Sequence, residues 1–186
     1  MRVIAGKAKG RKLKMVPGEE TRPVLDRVKE NLFNILGNWV QGSRWLDLFA
    51  GTGSVGIEAL SRGAAYCLFL DRNQAAVSTI RENLRITELE ARAEVQRVDA
   101  FVFLNADPSR DRSFEVIYVA PPQHKGLWYK AVEKIDGRPD WLLPDAIVVV
   151  QIDPREYEAL SLERLRLYDQ RRYGNTMLCF YEHLGE

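Results

Sequence analysis

No run of eighteen or more apolar residues occurs in the chain, so no segment is long enough to span a bilayer as a helix. Cysteine and histidine are scarce, and Cys67, Cys179, His124 and His183 are the whole supply. Both cysteines sit in apolar runs that read as strands. Buried free thiols are therefore expected rather than a disulfide. The histidines stand far apart and show no metal-ligand spacing, so no metal is expected. The opening Met1-Arg2-Val3-Ile4-Ala5-Gly6-Lys7 is basic without the apolar stretch of a signal peptide. A cytoplasmic location is the expectation.

What is present is ordinary in bulk and uneven in detail. The 186 residues suit one domain with a full core, and 46% hydrophobic and 28% charged residues are usual for a globular protein. The formal charge is only +1, yet residues 1–16 hold six basic side chains and no acid, which leaves −5 for the rest. Such a basic stripe is the footprint of phosphate-backbone binding. On charge alone, a solvated arm explains it equally well. Gly6 and Gly10 bracket Lys7-Ala8-Lys9 between two β-type runs, Arg2 to Ala5 and Lys12 to Val16. This predicts a hairpin that presents lysines at its turn.

A helix is predicted from about Val24 to Asn38, with Leu25, Val28, Leu32, Ile35 and Leu36 on its buried face. From Arg44 onward, short apolar runs at Arg44–Phe49, Ala65–Leu70, Ala93–Val98, Phe114–Val119 and Ala146–Gln151 alternate with helical patterning near 54–62, 73–87, 100–105 and 125–136. That alternation predicts an α/β fold, a doubly wound and mostly parallel sheet. Leu162–Arg172 and Asn175–His183, joined at Tyr173-Gly174, read as an antiparallel C-terminal hairpin. The organisation expected is a single domain: a basic extension over 1–20, a helix over 21–43 and a ligand-binding core over 44–186. Trp45 and Trp141 are expected in the core or at its margin. The arginines of Glu163–Arg172 form either a second basic face or a strand's solvent side.

Ligands of such sheets bind beyond the carboxyl ends of the strands. The first strand runs into Asp47-Leu48-Phe49-Ala50-Gly51-Thr52-Gly53-Ser54-Val55-Gly56. Its glycines allow a tight turn and a close ligand, and the next helix aims its first amides at that ligand. Read literally, the glycines also match the dinucleotide fingerprint. Asp71, closing the second strand, suits the ribose hydroxyls of either ligand. Asp47 separates the two readings, because a carboxylate beside the loop repels pyrophosphate and suits an ammonium and a sulfonium. Asp99, closing the third strand, could read an adenine amino group. Three acids at successive strand ends favour S-adenosyl-L-methionine, with Phe49, Thr52, Arg72 and Ala100 as neighbouring contacts. Three unrelated helix-capping aspartates are the bland alternative.

The segment Asp47 to Ser54, preceded by Thr21-Arg22-Pro23-x-x-Asp26-Arg27-Val28-Lys29-Glu30-x-Leu32-Phe33-Asn34, resembles the bacterial RsmD-type methyltransferases. The resemblance extends from Arg2-Val3-Ile4-Ala5-Gly6 and Gly10-Arg11-Lys12-Leu13 to Gly174-Asn175-Thr176. It implies a Rossmann-like class I methyltransferase fold and transfer to the N2 amino group of a guanine in small-subunit ribosomal RNA. The implied partner is that RNA in an assembling or assembled 30S particle, met by a monomer. The resemblance makes Lys7, Lys9, Arg11, Lys12, Arg22 and Arg27 candidate RNA contacts. For Thr21, Asp26, Arg27 and Glu30, a helix cap and a surface ion pair are the structural alternatives.

One departure falls at the chemistry. The family carries Asp or Asn, two prolines and an aromatic after the fourth strand, where this chain has Ala120-Pro121-Pro122-Gln123. Ala120 lacks the side-chain acceptor for the target amine, and Gln123 lacks the ring that stacks on the base. The Ala120 carbonyl, the Gln123 amide and a ring from Trp128 or Tyr129 are the substitutes to examine. Core packing is the favoured role for those two aromatics. Transfer to a positioned amine rests largely on proximity and orientation. Three alternatives stand beside this reading: a non-catalytic ribosome-assembly factor on the same frame, a methyltransferase for DNA or another substrate, and, more distantly, a NAD-dependent oxidoreductase.

Overall fold

The computed structural model describes residues 1–18, 24–109 and 111–185, and the chain forms two compact units, Met1–Asp99 and Ala100–Glu186. In the first unit, Arg2 and Lys12 make one antiparallel bridge, and Val3 N–H donates to Arg11 O at 2.9 Å. The hairpin stops there. The backbone groups that would extend a ladder are bonded elsewhere: Ile4 and Ala5 donate to Glu58, and Lys14 pairs with the Asn83 amide. The two predicted β-type runs therefore meet at a single bridge instead of forming strands.

Helix α1 (Asp26–Leu36) buries Val28, Lys29, Leu32, Phe33 and Leu36. The helix begins two residues later than predicted. Leu25 stands just before its first turn and is 64% exposed, so it does not belong to the buried face as expected. Gly37 closes the helix at φ 52°, its N–H donating to Phe33 O. Strands β1 (Arg44–Asp47), β2 (Tyr66–Asp71) and β3 (Ala93–Arg97) pair in parallel in the order β3-β2-β1. Helices α2 (Ser54–Ser61) and α3 (Gln74–Thr87) make the crossovers between them. Asn73 caps α3, accepting from Ala75 N–H at 2.9 Å. Trp45 is fully buried, with its ring 5.5 Å from that of Phe33 and its indole N–H donating to Ser43 Oγ. Burial of a ring this size is among the largest single contributions to the core, with about 1.5–3 kcal/mol already typical for Leu or Phe.

The second unit holds α4 (Ala100–Asn105), β4 (Phe114–Val119), α5 (Leu127–Gly137), β5 (Leu142–Ile152), β6 (Leu165–Tyr173) and β7 (Thr176–His183). Its strands run β4-β5-β7-β6, with the first pair parallel and the others antiparallel. β5 begins four residues before the predicted Ala146. It does so through an irregular stretch at Pro144 and Asp145 (φ 61°), where the register against β4 shifts; proline is tolerated in a strand at such a place. The antiparallel finish turns at Gly174 (φ 60°), as the sequence suggested. Trp141 is buried against Phe103 at 4.7 Å. Cys67 and Cys179 are both buried and unpaired. Among the described residues, no helix is long and apolar enough to cross a membrane.

Candidate active site and nucleic-acid interface

β1 delivers Asp47 to the foot of the glycine loop, where its side chain is almost completely buried. Asp47 Oδ2 accepts weakly from Gly56 N–H at 3.4 Å, and Oδ1 is buried with no hydrogen-bond partner. Burial pushes its pKa up to about 7, partly opposed by the Gly56 bond. An unpartnered buried carboxylate oxygen is costly, and a cationic ligand group would relieve it. This buried acid fits the ammonium of S-adenosylmethionine and does not fit a pyrophosphate.

The loop above it is shaped by conformation and by side chains. Gly51 (φ 57°) and Gly53 (φ 78°) occupy the left-handed region, which glycine enters without strain. At Gly53, a Cβ would also press on Ile80 and Ile57 at 3.2–3.3 Å. Asp71 closes β2 and braces the loop: Oδ2 accepts from Gly51 N–H at 3.0 Å, and Oδ1 from Asn73 N–H at 2.9 Å. Asp47, Gly51, Gly53 and Asp71 are thus assembled in one connected set. Phe49, Thr52 and Asp99 are half-buried, Ala100 is buried and Arg72 is exposed.

Sequence reasoning missed a buried cluster beneath this loop. Lys29 and Glu58, both fully buried, lie 3.6 Å apart, and Lys29 Nζ also donates to Arg2 O at 2.7 Å and Ser54 Oγ at 3.1 Å. Burial lowers the Lys29 pKa, against the pull of Glu58 and Asp26. A signal was available: Lys29, Leu32, Phe33 and Leu36 recur at i, i+3, i+4 and i+7, the spacing of a single helix face.

Lys7, Lys9, Arg11 and Lys12 are all exposed on the hairpin. Arg11 pairs with Glu88 at 3.5 Å, whereas Lys7, Lys9 and Lys12 have no ion pair among the described residues. Arg27 is exposed on α1, and Thr21 and Arg22 lie outside the described residues. The arginines of β6 and its approach are largely neutralised: Arg166 by Glu182 (2.5 Å), Arg171 by Asp169 (3.0 Å) and Arg164 by Glu163 (3.7 Å). This matches a strand's solvent side better than a second basic face.

In the second unit, the loop after β4 carries Ala120 half-buried, Pro121 buried, and Pro122 and Gln123 exposed. Trp128 is buried against Tyr157 (ring centroids 6.2 Å apart), so it has no free face for a base; packing is its role. Tyr129 is half-buried beside it. The sequence reading also overlooked His124. Its ring is exposed, its backbone holds φ 61°, and its N–H donates to Glu156 Oε1 at 2.7 Å. The imidazole lies 3.8 Å from Asp153, which Arg155 also grips.

A strand leading into a glycine loop over a buried acid, with a second acid closing the next strand, defines the class: the Rossmann-like methyltransferases, with a mostly parallel sheet and an antiparallel finish. Candidate methyltransferase yhhF of Escherichia coli superimposes with a TM-score of 0.85 at 30% identity, covering 100% of this chain and 99% of its own. The family model described as Conserved hypothetical protein 95 matches residues 1–182, and the chain belongs to that family, the RsmD-type methyltransferases. YlbH of Bacillus subtilis, named as a candidate rRNA methyltransferase, is 40% identical over 185 residues, the full length of both chains. The Ribosomal RNA small subunit methyltransferase D of Haemophilus influenzae is 34% identical over 183 residues, 94% of each chain.

Proposed function

We propose that this protein methylates the N2 amino group of a guanine in small-subunit ribosomal RNA, using S-adenosylmethionine. The observation that carries the reading is the unpartnered Asp47 oxygen at the foot of the glycine loop, in a chain whose relatives are named rRNA methyltransferases. When bound, the cofactor supplies an electrophilic methyl group on a sulfonium. Asp47 would hold its ammonium, the Gly51–Gly53 backbone its carboxylate side, Asp71 its ribose hydroxyls and Asp99 its adenine amino group. Phe49, Thr52, Arg72 and Ala100 would line the same site.

Ala120 can offer only its carbonyl to the target amine, with Pro121 and Pro122 fixing that carbonyl's direction. Gln123 adds an exposed amide, and His124 presents a planar ring one place later than the family's aromatic. Positioning of the nitrogen lone pair is the chief requirement for such a transfer. Lys7, Lys9 and Lys12 would supply the salt-sensitive share of RNA affinity, each contact contributing about one to the salt slope. Arg11, Arg22 and Arg27 would extend the same basic surface.

The test is incubation of the protein with radiolabelled S-adenosylmethionine and small subunits from cells lacking it, followed by nucleoside separation. Label in N2-methylguanosine is expected, and label in any other nucleoside overturns the base assignment. The absence of an acceptor side chain at Ala120 favours a second reading, a ribosome-assembly factor that no longer catalyses. Cofactor and subunit binding without any transfer would establish that reading instead.

A further inference from the structure

The basic hairpin and the glycine loop are joined through buried side chains, of which Asn83 reaches furthest into the loop. Asn83, on α3, is fully buried and uses its whole amide. Its Oδ1 accepts from Lys14 N–H at 2.7 Å, and its Nδ2 donates both to Lys14 O at 3.1 Å and to Thr52 O at 2.9 Å. Lys14 leads out of the hairpin, and Thr52 stands between Gly51 and Gly53. A second tie runs through Lys29 Nζ, which donates to Arg2 O and to Ser54 Oγ, the first side chain of α2. Further along, Glu58 accepts from Ile4 and Ala5 N–H, and Ser61 Oγ accepts from Ala8 N–H while donating to Ala5 O. The hairpin is therefore part of the loop's support and not an appendage.

We infer that Asn83 is a positioning residue that couples RNA engagement at the hairpin to the cofactor affinity of the glycine loop. The inference rests on the reading above that the hairpin contacts RNA. Phosphates neutralising Lys7, Lys9 and Lys12 would restrain the hairpin. Through the Lys14–Asn83–Thr52 chain, that restraint narrows the conformations open to Thr52 and Gly53. A loop already ordered loses less freedom when the cofactor binds, so its affinity rises. Linkage requires the reverse effect to be equal: cofactor tightens RNA binding by the same factor.

The test is equilibrium dialysis of radiolabelled S-adenosylhomocysteine against the full chain, alone and with saturating small ribosomal subunits from cells lacking the protein. Wild type should bind about fivefold more tightly or better with subunits present, the lower end of usual coupling. In Asn83→Leu this ratio should fall clearly toward one, the Lys29 tie carrying what is left, even where the affinity of the free variant also changes. A merely structural role would shift both affinities together and leave the ratio intact. Hydrogen exchange on wild type keeps the test valid if the variant fails to fold: the Gly53 and Ser54 amides should slow when subunits are added. Equal affinity with and without subunits, or unchanged exchange at those amides, overturns the coupling. The RNA reading is checked separately by replacing Lys7, Lys9 and Lys12 with alanine. Weakened subunit binding leaves that reading standing whatever the coupling shows, whereas undiminished binding removes the reading and the inference together.

Discussion

The glycine loop after β1 and the proline loop after β4 are held in different ways. The first is braced by buried or half-buried side chains of three helices and a strand: Lys29, Ser54, Asn83 and Asp71. The second has Pro121 buried, then three exposed residues, of which His124 is held by its N–H to the Glu156 carboxylate and by its ring 3.8 Å from Asp153. A loop that must present fixed amides and one buried acid to a small ligand gains from rigid support. On the proposed reading, the second loop meets a base within a large RNA, and such a loop can leave its side chains at the surface. The chain's departure from the family pattern falls in the less braced loop.

The difference should be visible in stability first. Glu58→Ala leaves Lys29 buried without its carboxylate and should cost about 3–5 kcal/mol in urea unfolding. Replacing Lys29 and Glu58 together with methionine should recover only part of that loss, because Ile4 and Ala5 N–H lose their acceptor. A Glu58→Ala loss as small as that of a surface change would show that the buried cluster does not support the loop. Next, Gly56→Ala places a Cβ 2.4 Å from Phe69 Cε1 and 2.7 Å from Cys67 Sγ. Overpacking of this kind costs about 1–3 kcal/mol, whereas Pro122→Ala at the exposed loop should stay within about 0.5 kcal/mol.

Asp47 sharpens the comparison on the cofactor side. Asp47→Asn removes a charged partner worth about 1.5–3 kcal/mol, so cofactor should bind roughly 10- to 100-fold more weakly in calorimetry. The pH dependence follows from its raised pKa, about 7 against an ordinary 3.8. In the free protein, burial favours the neutral acid, so this contribution to stability is fully present below the ordinary value. It is lost as pH rises through the raised one. An ammonium ligand requires the carboxylate, so binding should expel a proton between about pH 4 and 7, and affinity should drop as pH falls below 7. Calorimetry in two buffers of different ionisation enthalpy reads that proton directly, and its absence would place the ammonium elsewhere.

The smallest effect belongs to the proline loop. Ala120→Asn supplies the side-chain acceptor that the sequence lacks. One neutral hydrogen bond at about 0.5–1.5 kcal/mol predicts a two- to tenfold rise in kcat/KM for subunit methylation. No rise would show that this chain positions the amine by other groups.

How much the sequence disclosed differs in the same way between regions. Strand β4 over Phe114–Val119 and helix α4 over Ala100–Asn105 fall where the apolar pattern put them, because short apolar runs in a parallel sheet are bounded sharply by polar turns. That Asp47, Gly51, Gly53 and Asp71 come together at the strand ends was readable because glycine spacing and strand-end acids mark such a turn in residue type alone. Leu25 was misread because an apolar residue just before a helix continues the helical spacing without lying on the packed face. Lys29, Glu58 and Asn83 were hidden for the opposite reason: polar residues read as surface until the partners that satisfy them, far away in the sequence, are seen. The hairpin's second half was lost to the same cause, since Lys14 exchanges its backbone bonds with a side chain of α3 instead of a neighbouring strand.

These long reaches also set an order of assembly. Ile4 waits for Glu58, fifty-four residues later, and Lys14 for Asn83, sixty-nine later. During synthesis the hairpin is made before either partner, yet it cannot be seated until α2 and then α3 have followed. Closing such distant contacts is an entropic cost deferred until those helices are made. The most positively charged stretch of the chain is therefore produced early and docked only after α3 has followed.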